Sequence, residues 1–329
     1  MTTLLTGRGP TAAGGRDGVR VGLDIGGTKI EGVALAPDGT VLAHRRAPSP
    51  EGVRAVVDAA AAVVADLTRE PPGTGAPTGP GRPPTAVGVG IPGLVDPVAG
   101  TVGDAVNLGF GTARVPFGRA LSERLGGVPV LVENDVNVSA LGARELLAPG
   151  GDLALLSLGT GLAAGVVVGG VLLRGARGAA GEIGHLAIDP RGRACPCGQR
   201  GCLETVASGA ALRRAWPHGD EGRSAEHLFA AAGAGDPAAV AVRDEWAAAV
   251  ALAVRTLALT CDPERVVLGG GVAAVGAPLR EAVAAALRAQ ATGSAFLRGL
   301  AVEDRISLLP PGAPVAAVGA ARLGVPAPG

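Results

Sequence analysis

Hydrophobic and polar positions change period several times along the chain. From Val19 to Pro48, VRVGLDIGGTKIEGVALAPDGTVLAHRRAP alternates, is rich in β-branched residues and is broken at GGT and PDGT. Period-two alternation interrupted by turn signals predicts three antiparallel strands. PEGVRAVVDAAAAVVADLTRE then moves to helical spacing and predicts an amphipathic helix. Pro71 to Pro84, PPGTGAPTGPGRPP, reads as a surface loop. TAVGVGIPG predicts a buried strand ending in a tight turn. LVENDVNVSALGARELL predicts a strand, a short turn at Asn134-Asp135 and a helix. DLALLSLGTGLAAGVVVGGVLLRG returns to alternating strands around a glycine turn. DPAAVAVRDEWAAAVALAVRTLALTCDP is one long helix, and RVVLGGGV is a strand, a glycine turn and the start of another helix.

The pattern repeats. LDIGGTKIEGVAL (Leu23–Leu35) aligns with LSLGTGLAAGVVV (Leu156–Val168), placing Gly26 on Gly159 and Gly32 on Gly165. Both are strand–glycine turn–strand units that open a run of strands and helices. A duplicated α/β domain is the simplest account, and a cleft between two such domains is a usual place for a ligand.

Composition narrows the function classes. The 329 residues are 47% hydrophobic and 18% charged, which makes the chain globular. Lys+Arg and Asp+Glu balance at 29 each, so no charge excess points to nucleic acid or an anionic membrane. Aromatics are 2% and tyrosine is absent, leaving few side chains for stacking on bases. The N-terminal MTTLLTGRGPTAAGGRDG has no apolar core of a secretory signal and reads as a flexible tail over residues 1–18. WAAAVALAV, the most apolar stretch, is too short to span a bilayer. These features predict a cytoplasmic protein with no membrane or nucleic-acid partner. In a reducing compartment, the clustering of Cys195, Cys197 and Cys202 favours metal binding or catalysis over disulfides.

Three glycine turns, DIGGTK, LGTG and LGGG, suit the approach of backbone N–H groups to phosphates. A hairpin uses glycine too, so each alone is equally a structural turn. None is a Walker loop or a dinucleotide fingerprint. Together, with two of them related by the repeat, they suggest a nucleotide held by Gly26, Gly27, Thr28 and Lys29, by Gly159, Thr160 and Gly161, and by Gly269, Gly270 and Gly271. Asp24, just before the first turn, is placed to position Mg²⁺ directly or through water, or else to cap the turn.

Taken in order, LDIGGTK, GVGIPGLVD, VENDVN, SLGTG, GAAGEIGH, CPCGQRGCLE and VVLGGG resemble the ROK family of sugar kinases and repressors, from about Val19 to the C-terminus. The resemblance implies an α/β, actin-like or hexokinase-type ATPase fold of two related domains with an interdomain cleft. The expected division is residues 19–130, joined by a helix near 314–325, and residues 131–313, with a zinc-binding loop over 185–202. Family repressors carry an N-terminal winged-helix domain of about 60–80 residues. Only eighteen residues precede Val19, which favours a kinase. ENDVN stands where the family usually has ENDAN, and GTKIE is associated with fructokinase-like members.

The resemblance assigns roles. Asp135 is the catalytic base, a position that would equally suit a helix N-cap. Asn134, Glu182, Glu204 and the second ring nitrogen of His185 bind sugar hydroxyls, since carboxylates accept from vicinal hydroxyls. Gly93 lets backbone approach the sugar, and Asn107 reaches it. His185, Cys195, Cys197 and Cys202 form a Cys₃His set, the ligand number of a closed structural Zn²⁺ site, with Gly198 and Gly201 letting the loop double back. The alternative is buried or free cysteines in a polar loop. The expectation is an ATP- and Mg²⁺-dependent kinase for the 6-hydroxyl of a hexose, glucose first. Fructose or an N-acetylhexosamine are the alternatives, as is a sugar-binding regulator without turnover. A homodimer or homotetramer is expected.

Overall fold

The computed structural model describes residues 18–69, 83–219 and 223–324. The predicted tail over 1–18 and the loop over 71–84 fall almost wholly outside the described residues. The chain divides into two compact units. One runs to Leu146 and resumes at Pro314, and the other spans Leu147–Ala313.

The first unit contains β1 (Arg20–Ile25), β2 (Lys29–Leu35), β3 (Val41–Pro48), α1 (Val53–Thr68), β4 (Ala86–Ile91), β5 (Leu94–Asp96), β6 (Thr101–Gly103), α2 (Phe117–Arg124), β7 (Val130–Asn134) and α3 (Asp135–Leu147). Its sheet has the order β3-β2-β1-β4-β7. The β1–β2–β3 meander is antiparallel, and β4 and β7 add in parallel. Alternation sorts the residues by face. Val21, Leu23 and Ile25 join Val87, Val89 and Ile91 in a core with Val56, Ala60, Val63 and Leu67 of α1 and with Phe117 and Leu121 of α2.

The second unit contains β8 (Leu153–Leu158), β9 (Leu162–Val168), β10 (Val171–Leu172), α4 (Glu204–Ala207), α5 (Gly209–Ala215), α6 (Ser224–Gly233), α7 (Pro237–Cys261), β11 (Arg265–Gly269), α8 (Ala277–Ala291), α9 (Ala295–Leu300) and β12 (Ile306–Leu308). Its sheet, β10-β9-β8-β11-β12, has the order and strand directions of the first. The repeated sequence therefore marks a repeated topology. Ala154, Leu156, Leu158, Val266 and Leu268 pack on Val250, Val254 and Leu257 of α7 and on Val283 and Leu287 of α8. Among the described residues no helix is long and apolar enough to cross a membrane.

The last helix, α10 (Val315–Ala321), belongs to the first unit and packs on β1, β2 and β4. The open face of the first sheet carries glycine where the helix must come close. A Cβ on Gly22 would lie 1.9 Å from Ala317 O, and one on Gly88 would lie 1.8 Å from Ala320 O. Val33 and Leu35 complete the contact with Ala317, Val318 and Ala321.

Two expectations need correction. The first domain does not end at residue 130. β7 is hydrogen-bonded to β4 in register Val87↔Val130 to Ile91↔Asn134, so β7 and α3 complete the first sheet. No separate turn lies at Asn134-Asp135 either, because α3 begins at Asp135 directly after β7. The RVVLGGGV stretch forms β11, a glycine turn and a 3₁₀ turn over Gly271–Val275 before α8 begins.

Candidate functional site

The residues singled out from the sequence fall into two groups, one in each unit. In the first, Asp24 is the penultimate residue of β1, and the turn to β2 is closed by Gly26 N–H donating to Lys29 O at 2.9 Å. Asn107 lies against this turn, since a Cβ on Gly27 would be 2.8 Å from Asn107 Cβ. The turn after β4 needs Gly93, whose φ is +101° and whose Cβ would lie 2.4 Å from Gly103 O.

Asp135 is the first residue of α3. Its carboxylate and the Asn134 side-chain oxygen both accept the Val136 N–H at 2.9 Å. Burial raises the Asp135 pKa, and the hydrogen bond from Val136 only partly offsets this. Asp24 is raised to about 7, first by burial and then by the negative charge of Asp135, with Lys29 opposing. A carboxylate whose proton is held on by a neighbouring negative charge is a fit for a divalent cation, which offsets that charge.

Two carboxylates not singled out from the sequence support these groups. Glu133, 3% exposed, accepts from the Asn134 N–H and from Asn137 Nδ2, both at 3.0 Å. Glu31, 5% exposed, receives Lys29 Nζ at 3.0 Å, His44 Nε2 at 2.8 Å and Arg46 at 2.6 Å. Burial opposes its ionisation, but the bonds from Arg46, Lys29 and His44 prevail and hold its pKa below the usual value. The available signal was a glutamate at a position where the strand pattern calls for an inward-facing residue.

In the second unit, the turn Gly159–Gly161 joins β8 to β9, and Gly159 O accepts the N–H of Gly209 at the start of α5 at 2.8 Å. Gly270 has φ +80° and lies against the Leu158 backbone, where a Cβ would be 2.6 Å away. The LGTG and LGGG turns are therefore neighbours within this unit.

The cysteine loop closes as its glycines suggest. Gly198 and Gly201 have φ of +92° and +67°, and the loop is tied by Cys195 N–H to Gln199 O at 2.8 Å and by Gly201 N–H to Arg193 O at 2.7 Å. The ligand atoms of His185, Cys195, Cys197 and Cys202 all lie within 4.8 Å of one another. Cys197 Sγ to Cys202 Sγ is 3.6 Å, and Cys195 Sγ to His185 Nδ1 is 3.8 Å. A tetrahedral site with Zn–S near 2.3 Å has edges of about 3.8 Å, so this donor set fits a zinc ion. His185 turns Nδ1 to the cysteines and Nε2 to Glu182, whose carboxylate is 3.9 Å away. Glu204, at the start of α4, reaches Cys195 Sγ at 2.9 Å and His185 Nδ1 at 3.6 Å. Glu182, His185 and Glu204 thus form one cluster beside the cysteines. Cys261 lies apart and packs on the α7–α8 core.

The ROK family profile matches residues 20–321. The chain belongs to the ROK family. A glucokinase of Streptomyces coelicolor is 34% identical over 275 residues, covering 78% of this chain and 82% of that one. The ROK hexokinase of Thermus thermophilus superposes with a TM-score of 0.75 at 36% identity, over 92% of this chain and 96% of that one. A ROK glucokinase of Streptomyces griseus, solved with glucose and AMPPNP, gives 0.70 at 31% identity, over 93% and 99%. The actin-like, hexokinase-type fold of the ROK sugar kinases is the fold of this chain.

Proposed function

We propose that this ROK protein transfers the γ-phosphoryl group of ATP to the primary hydroxyl of a hexose, with glucose as the principal substrate. The observation that carries the reading is Asp135. It is a carboxylate at the start of α3 whose pKa is raised by burial and whose neighbour Asn134 is fixed by Glu133. A raised pKa makes a carboxylate a better proton acceptor at the moment the hydroxyl attacks. Glucokinase relatives that share a third of the sequence support the choice of sugar.

In this reading Asn134, Asp135, Gly93 and Asn107 bind the sugar in the first unit, and Glu182, His185 and Glu204 bind it in the second. The turns at Gly26–Lys29, Gly159–Gly161 and Gly269–Gly271 hold the phosphates, and Asp24 holds the Mg²⁺ that accompanies ATP. Phosphoryl transfer needs little from the protein beyond position and charge, which these groups supply. Zinc on His185, Cys195, Cys197 and Cys202 leaves no open position and serves to fix the loop that carries His185 and ends at Glu204. A cytoplasmic location and self-association as a dimer or tetramer are part of the same reading.

The test is ADP release by purified protein with ATP across glucose, fructose, mannose and N-acetylated hexosamines. Turnover highest on glucose supports the proposal. Turnover highest on another sugar moves the substrate. Sugar binding with no ADP released makes the chain a sugar-responsive regulator.

A further inference from the structure

The turn between β8 and β9 has two faces with different neighbours. At its first residue, Gly159, the carbonyl is held by the Gly209 N–H, and a Cβ would meet nothing within 4 Å. At its last residue, Gly161, an added Cβ would lie 3.1 Å from Glu204 Oε2. That is closer than an ordinary contact of about 3.5 Å.

The Glu204 carboxylate stands close beside the cysteine loop. Its other oxygen, Oε1, is 2.9 Å from Cys195 Sγ and 3.6 Å from His185 Nδ1. The residue before it is fixed by Leu203 N–H donating to Leu186 O at 2.9 Å. Its side chain is 18% exposed. Gly161 does not have a positive φ, so its backbone conformation is open to any residue. Nothing in the backbone therefore asks for glycine at 161. The carboxylate of Glu204 does.

We infer that Gly161 is a positioning residue of the sugar site: the lack of a side chain there sets where the Glu204 carboxylate stands. The turn assigned to phosphate thus also serves the sugar, through Gly161. The inference rests on the proposed role of Glu204 in holding sugar hydroxyls.

The flank of β9 shows the same economy of space. Gly181 and Gly184 bring Glu182 and His185 against the strand that Gly161 opens. A Cβ on Gly181 would lie 1.8 Å from Ala164 O, and one on Gly184 would lie 2.0 Å from Leu162 O. The start of β9 at Leu162 is therefore lined by the residues assigned to sugar, and Gly159 lies three residues before it.

The experiment compares steady-state kinetics of Gly161→Ala, Gly159→Ala, Glu204→Gln and the Gly161→Ala/Glu204→Gln pair, with glucose and ATP varied separately. Displacing a charged acceptor from a sugar hydroxyl should raise the glucose KM of Gly161→Ala by about 10- to 100-fold, a larger change than any in its ATP KM. Gly159→Ala should do the reverse. In the pair, alanine should add nothing to the loss caused by Glu204→Gln, because it acts through that carboxylate. A raised ATP KM with unchanged glucose KM in Gly161→Ala, or an additive loss in the pair, overturns the inference. Unchanged glucose kinetics in Glu204→Gln removes Glu204 from the sugar site, and the inference falls with that reading. If Gly161→Ala lowers the melting temperature, Gly161→Ala/Glu204→Asp, which withdraws the carboxylate by one methylene, should restore it. No restoration also overturns the inference.

Discussion

Asp135 offers the sharpest test at the scale of single residues. Asp135→Asn keeps the size and can still accept the Val136 N–H that the carboxylate accepts now. It cannot take a proton, so kcat should fall by about 10²–10⁴-fold while a sugar-binding isotherm stays near that of the parent. Loss of binding and thermal stability together would make Asp135 a helix cap only. Asp24 gives a second test through pH. Its carboxyl, raised to about 7 by burial and by Asp135, is protonated below that pH and then cannot hold a cation. The kcat/KM for MgATP should therefore fall as pH drops through about 7 and level off above it. Added Mg²⁺, which binds only the ionised form, should move this limb to lower pH. A limb unmoved by Mg²⁺ would detach Asp24 from the metal. In the sequence Asp24 draws notice by preceding a glycine turn, and Asp135 by the resemblance of VENDVN to the family. Glu31 and Glu133 do not. A glutamate inside a strand becomes meaningful only when the fold shows what surrounds it: for Glu31, Lys29, His44 and Arg46, and for Glu133, the Asn134 backbone and Asn137.

Elements explain why some glycines make better probes than others. Gly270 has a positive φ and touches the Leu158 backbone, so replacing it disturbs the fold whatever it does to ATP. Gly159 has open space and no φ demand, so Gly159→Val is the clean variant. It should weaken ATP binding by calorimetry and leave the melting temperature nearly unchanged. Unchanged ATP affinity would move the phosphates off this turn. For the cysteine loop, elemental analysis should find about one zinc per chain. Cys197→Ala should lose metal and weaken sugar binding by about 10- to 100-fold as the loop carrying His185 and leading to Glu204 loosens. Active protein free of zinc would refute this. The clustering of His185 with the three cysteines was readable because such residues are few in this composition. The loop's precise closure, with Gly201 pressed on the Asp189 carbonyl, was not.

At the scale of the whole molecule, thirteen aligned residues were enough to signal two sheets of the same order, since strand–glycine turn–strand is a local pattern. The boundary between the units was misplaced because it depends on pairing. VLVEN followed by a helix looks like the start of a new domain, and only its register with β4 assigns it to the first. Gly22 of β1 and Gly88 of β4 sit within runs whose pattern says only strand, whereas they mark the seat of α10. Gly88→Ala would set a methyl 1.8 Å from Ala320 O. It should cost about 3 kcal/mol or more in a denaturant titration, through overpacking. A loss under about 1 kcal/mol would mean that α10 shifts freely on the sheet.

The position of α10 also has a consequence for synthesis. The second unit lies wholly within Leu147–Ala313, but the first is finished by a helix translated after it. On the ribosome, the first sheet must wait with Gly22, Val33, Leu35 and Gly88 uncovered while some 170 further residues emerge, on the order of ten to thirty seconds at ordinary elongation rates. A released chain that ends after residue 313 should thus yield to protease in the first half of the sequence and resist in the second. The chain that includes α10 should resist in both halves.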